Sequence, residues 1–259
     1  MWKDPDQLKA GLTSRRMNMV IMPTHTAAQF HNKGVTLRLI SLLTRGLLYV
    51  VSDLAPTPSL TVLKGLSLAI PYRNDVPDLA LARLAQETQL DLERDVSLHF
   101  TGTPIEAVQL MIAGKVRAAL LPEPAATAAI TRAKMFGKSL YRTLDFLSLW
   151  QGSFGPNETL PQAALVMRSD SAAPDLASWH RDLASALDRL TKDPKPICQQ
   201  AAPAFGMPAD ILVNSVKASN LVTLKATDAR PELERYFERL RDLNPALIGG
   251  SLPADRFYQ

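Results

Sequence analysis

Cysteine occurs once in this chain, at Cys198, which excludes an internal disulfide and any cysteine-rich metal site. Histidine is scarce as well, limited to His25, His31, His99 and His180. His25 and His31 stand across a loop and a helix without a His-Glu-x-x-His pattern beside them, so no metal site is expected. There is no Gly-rich phosphate loop and no Gly-x-Ser-x-Gly elbow; Gly65 and Gly102 are isolated. No catalytic residue and no cofactor is therefore assigned. Long apolar runs are missing too, none approaching the roughly 18 residues needed to span a bilayer. The stretch Met1-Trp2-Lys3-Asp4-Pro5-Asp6 carries acids and a Pro where a secretory signal needs a basic flank and an apolar segment. Lys and Arg are scattered rather than clustered, and the net charge is only +4 with a pI near 9.2, so no nucleic-acid stripe is present.

What the chain does contain is a doubled unit. Asp4 to Ala28 and Thr103 to Thr127 follow one pattern without a gap: a capping residue, Pro at the first helical position, a short helix, then an apolar strand ending at Pro23 or Pro122. A polar loop opens the next helix in each copy. Two like units predict two like lobes, with polar loops and helix N-termini at the C-terminal ends of the strands, where open α/β sheets bind small ligands. The length of 259 residues and a hydrophobic share of 46% are sufficient for two cores.

Along the chain, helix 5–14, strand 17–22, helix 27–33 and strands 35–39 and 46–51 are predicted first. Ala55-Pro56-Thr57-Pro58-Ser59 breaks the pattern and is read as a crossing between lobes. Strands 66–70, 96–100 and 116–121 then alternate with helices 77–89 and 104–113 and a helix after Glu123. Leu79, Leu81, Ala82, Leu84 and Ala85 are expected to form one buried helical face. This alternation predicts an α/β fold with mostly parallel sheets covered by helices. A second breaker, Gly152 to Asn157, precedes strand 163–167, the return crossing, and helices 174–191, 196–204 and 231–243 complete the chain. The expected division is residues 1–59 and 161–259 in lobe I and residues 60–160 in lobe II. The second copy is preceded by a strand, helix and strand that the first lacks, so the repeat logic predicts about 40 further residues upstream and an incomplete first lobe.

The candidate ligand-binding residues are those that the repeat places on loops feeding helix N-termini: Thr24, His25 and Thr26 from one copy, and Tyr72, Arg73, Asn74, Thr103 and Glu123 from the other lobe. Arg73 can fork onto a carboxylate, sulfonate or oxyanion. Asp75, before Val76 and Pro77, is read as a helix cap. Glu123, directly after the strand-ending Pro, is expected to make a ligand-facing contact and to favour an amine, amide or ring N–H.

Gly65 to Pro71, Thr103 to Val116, Leu121-Pro122-Glu123-Pro124 and the tail Asn244 to Tyr258 together resemble the substrate-binding proteins of ABC importers in the nitrate, sulfonate, bicarbonate and thiamine-precursor group. The resemblance implies a two-lobed periplasmic-binding-protein fold of type II and a non-enzymatic, monomeric protein. A small-molecule ligand would sit in the interlobe cleft and a membrane permease would be the docking partner, with periplasmic or extracytoplasmic localisation. It departs from the family at Ser14-Arg15-Arg16-Met17-Asn18, where relatives more often have a Gly and an acid, and in lacking a secretion signal and the first strand-helix-strand. Two alternatives share the fold. An effector-sensing domain of a transcription regulator would need a DNA-binding helix-turn-helix, and no basic recognition helix precedes Trp2. A pyrimidine-precursor synthesis enzyme of the yeast type would need a cysteine-rich motif, which one cysteine does not supply.

Overall fold

The computed structural model describes residues 5–171 and 175–258; Met1 to Asp4, with the cap expected at Asp4, and the helix start expected at Pro174 lie outside the described residues. The first elements are α1 (Pro5–Thr13), β1 (Met19–Pro23), α2 (Thr24–Asn32), β2 (Leu37–Thr44) and β3 (Leu48–Ser52). Next come β4 (Ser67–Pro71), α3 (Val76–Thr88), α4 (Leu92–Asp95), β5 (Ser97–Thr101), α5 (Pro104–Ile112), β6 (Ala118–Pro122) and α6 (Ala125–Met135). They are followed by β7 (Tyr141–Asp145), α7 (Phe146–Phe154), β8 (Ala163–Arg168), α8 (Leu176–Lys192), α9 (Pro194–Phe205), α10 (Ala209–Ser215), β9 (Leu221–Lys225) and α11 (Ala226–Leu243).

The repeat is realised element by element. α1 and α5 begin at Pro5 and Pro104, and β1 and β6 end at Pro23 and Pro122. The copies diverge only at the following loop, where Thr24 already opens α2 whereas Pro124 takes the N-cap place and α6 starts at Ala125. In the second copy the predicted cap is made: Thr103 accepts from the Glu106 N–H at 3.2 Å, and the Glu106 carboxylate accepts from the Gly102 N–H at 2.9 Å. This reciprocal arrangement satisfies donors that every helix start leaves open.

The chain forms two compact units, one from residues up to Thr44 with Pro161–Ala186 and everything from Val222, the other from Arg45–Leu160 with Leu187–Leu221. Two stretches expected in lobe I, residues 45–59 and 187–221, therefore lie in unit 2. The cause is pairing and packing: β3 runs between β6 and β7, with Val50 opposite both Leu120 and Leu144, and α10 packs on α6.

In unit 1 the strand order is β1-β8-β2-β9, and β8 runs antiparallel to both β1 and β2. A register shift between Leu39 and Ser41 interrupts the β2 ladder. Unit 2 has the order β5-β4-β6-β3-β7, with β4 parallel to β5 and β6, and β3 antiparallel to β6 and β7. The mostly parallel sheets expected from the alternation are thus corrected to one antiparallel and one mixed arrangement among the described ladders. Alternation of strand and helix dictates parallel pairing only for β4, β5 and β6; β3 runs antiparallel to β6 and β7 in unit 2, and β8 runs antiparallel to β1 and β2 in unit 1.

The α3 face is close to the one the periodicity predicts. Leu79, Leu81, Leu84 and Ala85 are buried, but Ala80 is enclosed where Ala82 is only half-buried. The core of unit 2 between its sheet and α5 and α6 is built of small and branched residues, Val51, Ala119, Leu121, Ala126 and Ala129 among them. Small side chains let helix and sheet approach closely.

The tail motif is fastened to α2. Gln29 donates its amide to the Ala246 carbonyl at 2.8 Å, and Asn32 donates to the carbonyls of Ile248 at 2.7 Å and Ser251 at 2.6 Å. Gly249 sits at φ +79°, and a Cβ there would lie 2.7 Å from Asn32 Cβ and 3.1 Å from the Gln29 carbonyl oxygen. Both the left-handed backbone and the close approach call for glycine. Gly249→Ala is expected to cost about 2 to 4 kcal/mol, from left-handed strain plus a forced shift of α2. An unchanged urea midpoint would show that the tail does not bear on α2 in this way.

Candidate functional site

In unit 2, parallel pairing in register sets Pro71 opposite Thr101, so β4, β5 and β6 deliver their following loops to one end of the sheet. Tyr72, Arg73, Asn74, Thr103 and Glu123 are brought together there. The first loop is held by its own backbone: the Tyr72 N–H donates to the Thr101 carbonyl at 3.0 Å, and the Asn74 N–H to the Asp78 carboxylate at 2.8 Å. Tyr72 and Asn74 both adopt left-handed backbone, with φ of 59° and 63°. Asp75 caps α3 by accepting from the Val76 N–H at 2.6 Å, as its sequence position before Pro77 indicates.

Between these fixed points the Arg73 side chain is exposed, with its guanidinium over the Phe100 ring at 4.8 Å and no ion pair among the described residues. Stacking orients the cation without neutralising it. Burial, followed by the nearby Asp75 and Glu106 carboxylates, pushes the Tyr72 phenol above its ordinary pKa and keeps it a neutral donor. Thr103 spends an acceptor position of its hydroxyl on the α5 cap.

Glu123 departs from its expected part. Its side chain has 0% exposure, and its carboxylate turns inward. One oxygen accepts from the Thr127 N–H at 3.1 Å and the Thr127 hydroxyl at 2.8 Å; the other accepts from Arg142 Nε at 2.9 Å and also from Arg142 Nη2. Arg142 Nη2 reaches the Thr127 hydroxyl at 2.7 Å, and the guanidinium lies over the Tyr49 ring at 5.2 Å. The Tyr49 hydroxyl in turn donates to the Ala218 carbonyl at 2.8 Å. A carboxylate holding four donors fixes the start of α6 to β7. Arg142, Thr127 and Tyr49 were not foreseen. Thr127 is one helical turn beyond Glu123 and has a legible spacing, but Arg142 and Tyr49 come from strands remote in sequence.

Beside Glu123 and Pro124, unit 2 also holds a mainly apolar cavity of about 240 Å³, walled by Leu47, Ile197, Phe205, Leu212 and Val216 among others. Cys198 lines it as a buried free thiol whose pKa is raised by burial.

Thr24, His25 and Thr26 belong to unit 1, at the first turn of α2. Thr24 is fully buried, donating its hydroxyl to the Pro161 carbonyl at 2.5 Å and its N–H to the Gln162 carbonyl at 3.2 Å. Its side chain therefore ties α2 to the segment before β8. His25 is also buried, with Nε2 3.3 Å from the hydroxyl of half-buried Thr26. Among the described residues no group of three His, Cys, Asp or Glu side chains is placed to hold a metal ion.

No family description and no curated protein sequence matches the chain. Solved structures do. An ABC transporter structure from Parabacteroides distasonis is similar over 100% of this chain and 86% of that chain, with a TM-score of 0.81 and 23% identity. The periplasmic aliphatic sulphonate binding protein SsuA from Escherichia coli is similar over 96% of this chain and 80% of its own, with a TM-score of 0.63 and 15% identity. The alkanesulfonate-binding protein SsuA from Xanthomonas axonopodis pv. citri, solved bound to MOPS, gives 97% and 82% coverage, a TM-score of 0.65 and 15% identity. The chain has the α/β fold of these periplasmic binding proteins.

Replacing Glu123 by Gln keeps an acceptor but removes the charge opposing Arg142, and is expected to destabilise the protein by about 1 to 3 kcal/mol. Urea unfolding of the single variants and the Glu123→Gln/Arg142→Met double variant measures the coupling; additive losses would contradict it. Burial, then the Asp145 and Glu123 carboxylates, push the Tyr49 pKa from 10.0 up to about 12. Because the raised value favours the protonated folded state, the stability it contributes is complete below pH 10 and lost as pH rises from 10 to about 12. Phenolate absorbance of wild type against Tyr49→Phe would follow that ionisation.

Proposed function

We propose that this protein is the solute-binding component of an ABC importer, capturing a small organic anion at the loops that follow its strands and delivering it to a membrane permease. The observation that carries the reading is the similarity of fold along the whole chain to an ABC transporter structure and to two sulfonate-binding proteins. Local chemistry agrees. Arg73 offers an exposed, stacked and unneutralised guanidinium beside the capped starts of α3 and α5, whose amide dipoles favour negative charge.

An organic body on that anion is supported by the apolar cavity next to Pro124. In unit 2, Tyr72, Asn74 and Thr103 are the proposed polar contacts beside Arg73, with Glu123 fixing the loop after β6; in unit 1, His25 and Thr26 are proposed contacts on the α2 start that Thr24 fixes. The reading is of a binder, not a catalyst, since the one carboxylate expected to face the ligand is already engaged by Thr127 and Arg142. An extracytoplasmic setting and a permease partner follow from the same proposal. No helix among the described residues is long and apolar enough to cross a membrane.

Calorimetry with a panel of aliphatic sulfonates and matched carboxylates tests this. One class is expected to bind without turnover, and Arg73→Ala should weaken it by about 1.5 to 3 kcal/mol, the scale of a hydrogen bond to a charged group. Chemical conversion of the bound compound would sink the proposal, and an unchanged affinity in Arg73→Ala would remove Arg73 from the site.

A further inference from the structure

Unit 1 carries a second polar feature at the other end of its sheet. β1 ends at Pro23 opposite Ala163, where Thr24 to Thr26 begin, whereas Leu37 pairs with Arg168 at the opposite end. There a cavity of about 380 Å³ is lined by His31, Gly34, Thr36, Arg38, Ser169 and Arg256, with Val35 and Leu37 completing the wall. None of these residues is acidic.

Its cations are not neutralised. Arg38 is half-buried on β2 with its Nε enclosed and without a hydrogen-bond partner, and neither Arg38 nor Arg256 forms an ion pair among the described residues. The carboxylates next to the lining are held elsewhere. Asp255 pairs with Arg230 at 2.7 Å, while Asp170 takes Arg168 at 2.6 Å and Arg15 at 3.6 Å. Two guanidinium groups without carboxylate partners on one cavity wall favour an oxyanion between them.

The third observation selects among oxyanions. His31 is 7% exposed, and its Nδ1 lies 2.7 Å from the Leu37 carbonyl oxygen. A carbonyl only accepts, so Nδ1 donates to it, and Nε2 is the acceptor of the neutral ring. That Nε2 is buried and has no partner. A cavity offering two guanidinium groups and one imidazole acceptor matches an anion that is charged and still holds a proton. Inorganic phosphate keeps a P–OH at neutral pH even as its dianion; sulfate has none.

We propose that this cavity is a binding site for inorganic phosphate, with Arg38 and Arg256 donating to its oxygens and His31 Nε2 accepting from its hydroxyl. The site is separate from the ligand-reading loops and does not depend on them.

Calorimetry of the full chain at neutral pH with inorganic phosphate, and with sulfate as comparator, decides the matter. Phosphate should bind at least tenfold tighter than sulfate, and Arg38→Gln and Arg256→Gln should each weaken phosphate tenfold or more. His31→Gln should abolish the preference over sulfate. Should that buried substitution prevent folding, Arg256→Gln still decides, because Arg256 is exposed and makes no ion pair. Absence of phosphate binding, equal affinity for sulfate, or unchanged affinity in both arginine variants would overturn the site. Loss of phosphate binding in Arg73→Ala, with Arg38→Gln and Arg256→Gln unaffected, would also overturn it and would place phosphate at the unit 2 loops, leaving the importer reading intact.

Discussion

The ion pair between Glu123 and Arg142 is the constraint on which the end of unit 2 that carries the loops after β4, β5 and β6 depends. A carboxylate with 0% side-chain exposure is tolerable only if its lone pairs are filled, and four donors from Thr127 and Arg142 fill them. Those donors come from the first turn of α6 and from β7, an edge strand of the five-stranded sheet. The β6 exit, the α6 start and the β3-β7 ladder are consequently fixed to one another, and Tyr49 beneath the guanidinium extends the linkage to Ala218. A rigid frame of this kind lets the neighbouring Tyr72 to Asn74 loop carry an exposed cation without losing its position. The buried charge of Glu123 is spent on the frame, whereas the exposed charge of Arg73 is not.

Much of the fold was legible in the sequence because it rests on short-range rules. A cap followed by Pro, an apolar run, a second Pro and a new helix are all signals within a few residues, and α1–β1 and α5–β6 obey them at matching positions. The loops after β4, β5 and β6 could be placed at one sheet end for the same reason. The direction of β3, β7 and β8 was not legible. Strand polarity in a sheet depends on which distant segment lies alongside, and nothing within residues 48–52 distinguishes a partner at β6 from one in unit 1. The placing of residues 45–59 in unit 2 follows from that pairing, and that of residues 187–221 from the packing of α10 on α6.

The candidate site divides along the same line. Positions at helix starts were identifiable, and so was the capping role of Asp75. What a polar side chain does at such a position depends on its partners. Thr24 and Glu123 occupy equivalent loops, yet each is consumed by a structural bond, Thr24 by the Pro161 carbonyl and Glu123 by Arg142 and Thr127. Sequence gave no sign of this because Pro161 lies 137 residues from Thr24 and Arg142 lies 19 from Glu123.

Arginine shows the limit most plainly. The basic residues are scattered along the chain, and scattering by itself suggests a solvated surface. Pairing separates them into groups with different consequences. Arg83, Arg94 and Arg230 are matched by carboxylates one helical turn away, and Arg142 and Arg168 are held by Glu123 and Asp170. Such cations have their charge offset locally and contribute little field at a distance. Arg73, Arg38 and Arg256 have no such partner among the described residues, and they stand where the chain leaves space: a loop at the end of one sheet and a cavity at the end of the other. Net charge alone does not show which guanidinium groups the fold leaves without a carboxylate partner. The local electrostatics of this protein accordingly depend on which guanidinium groups the fold leaves unpaired, and not only on how many the sequence contains.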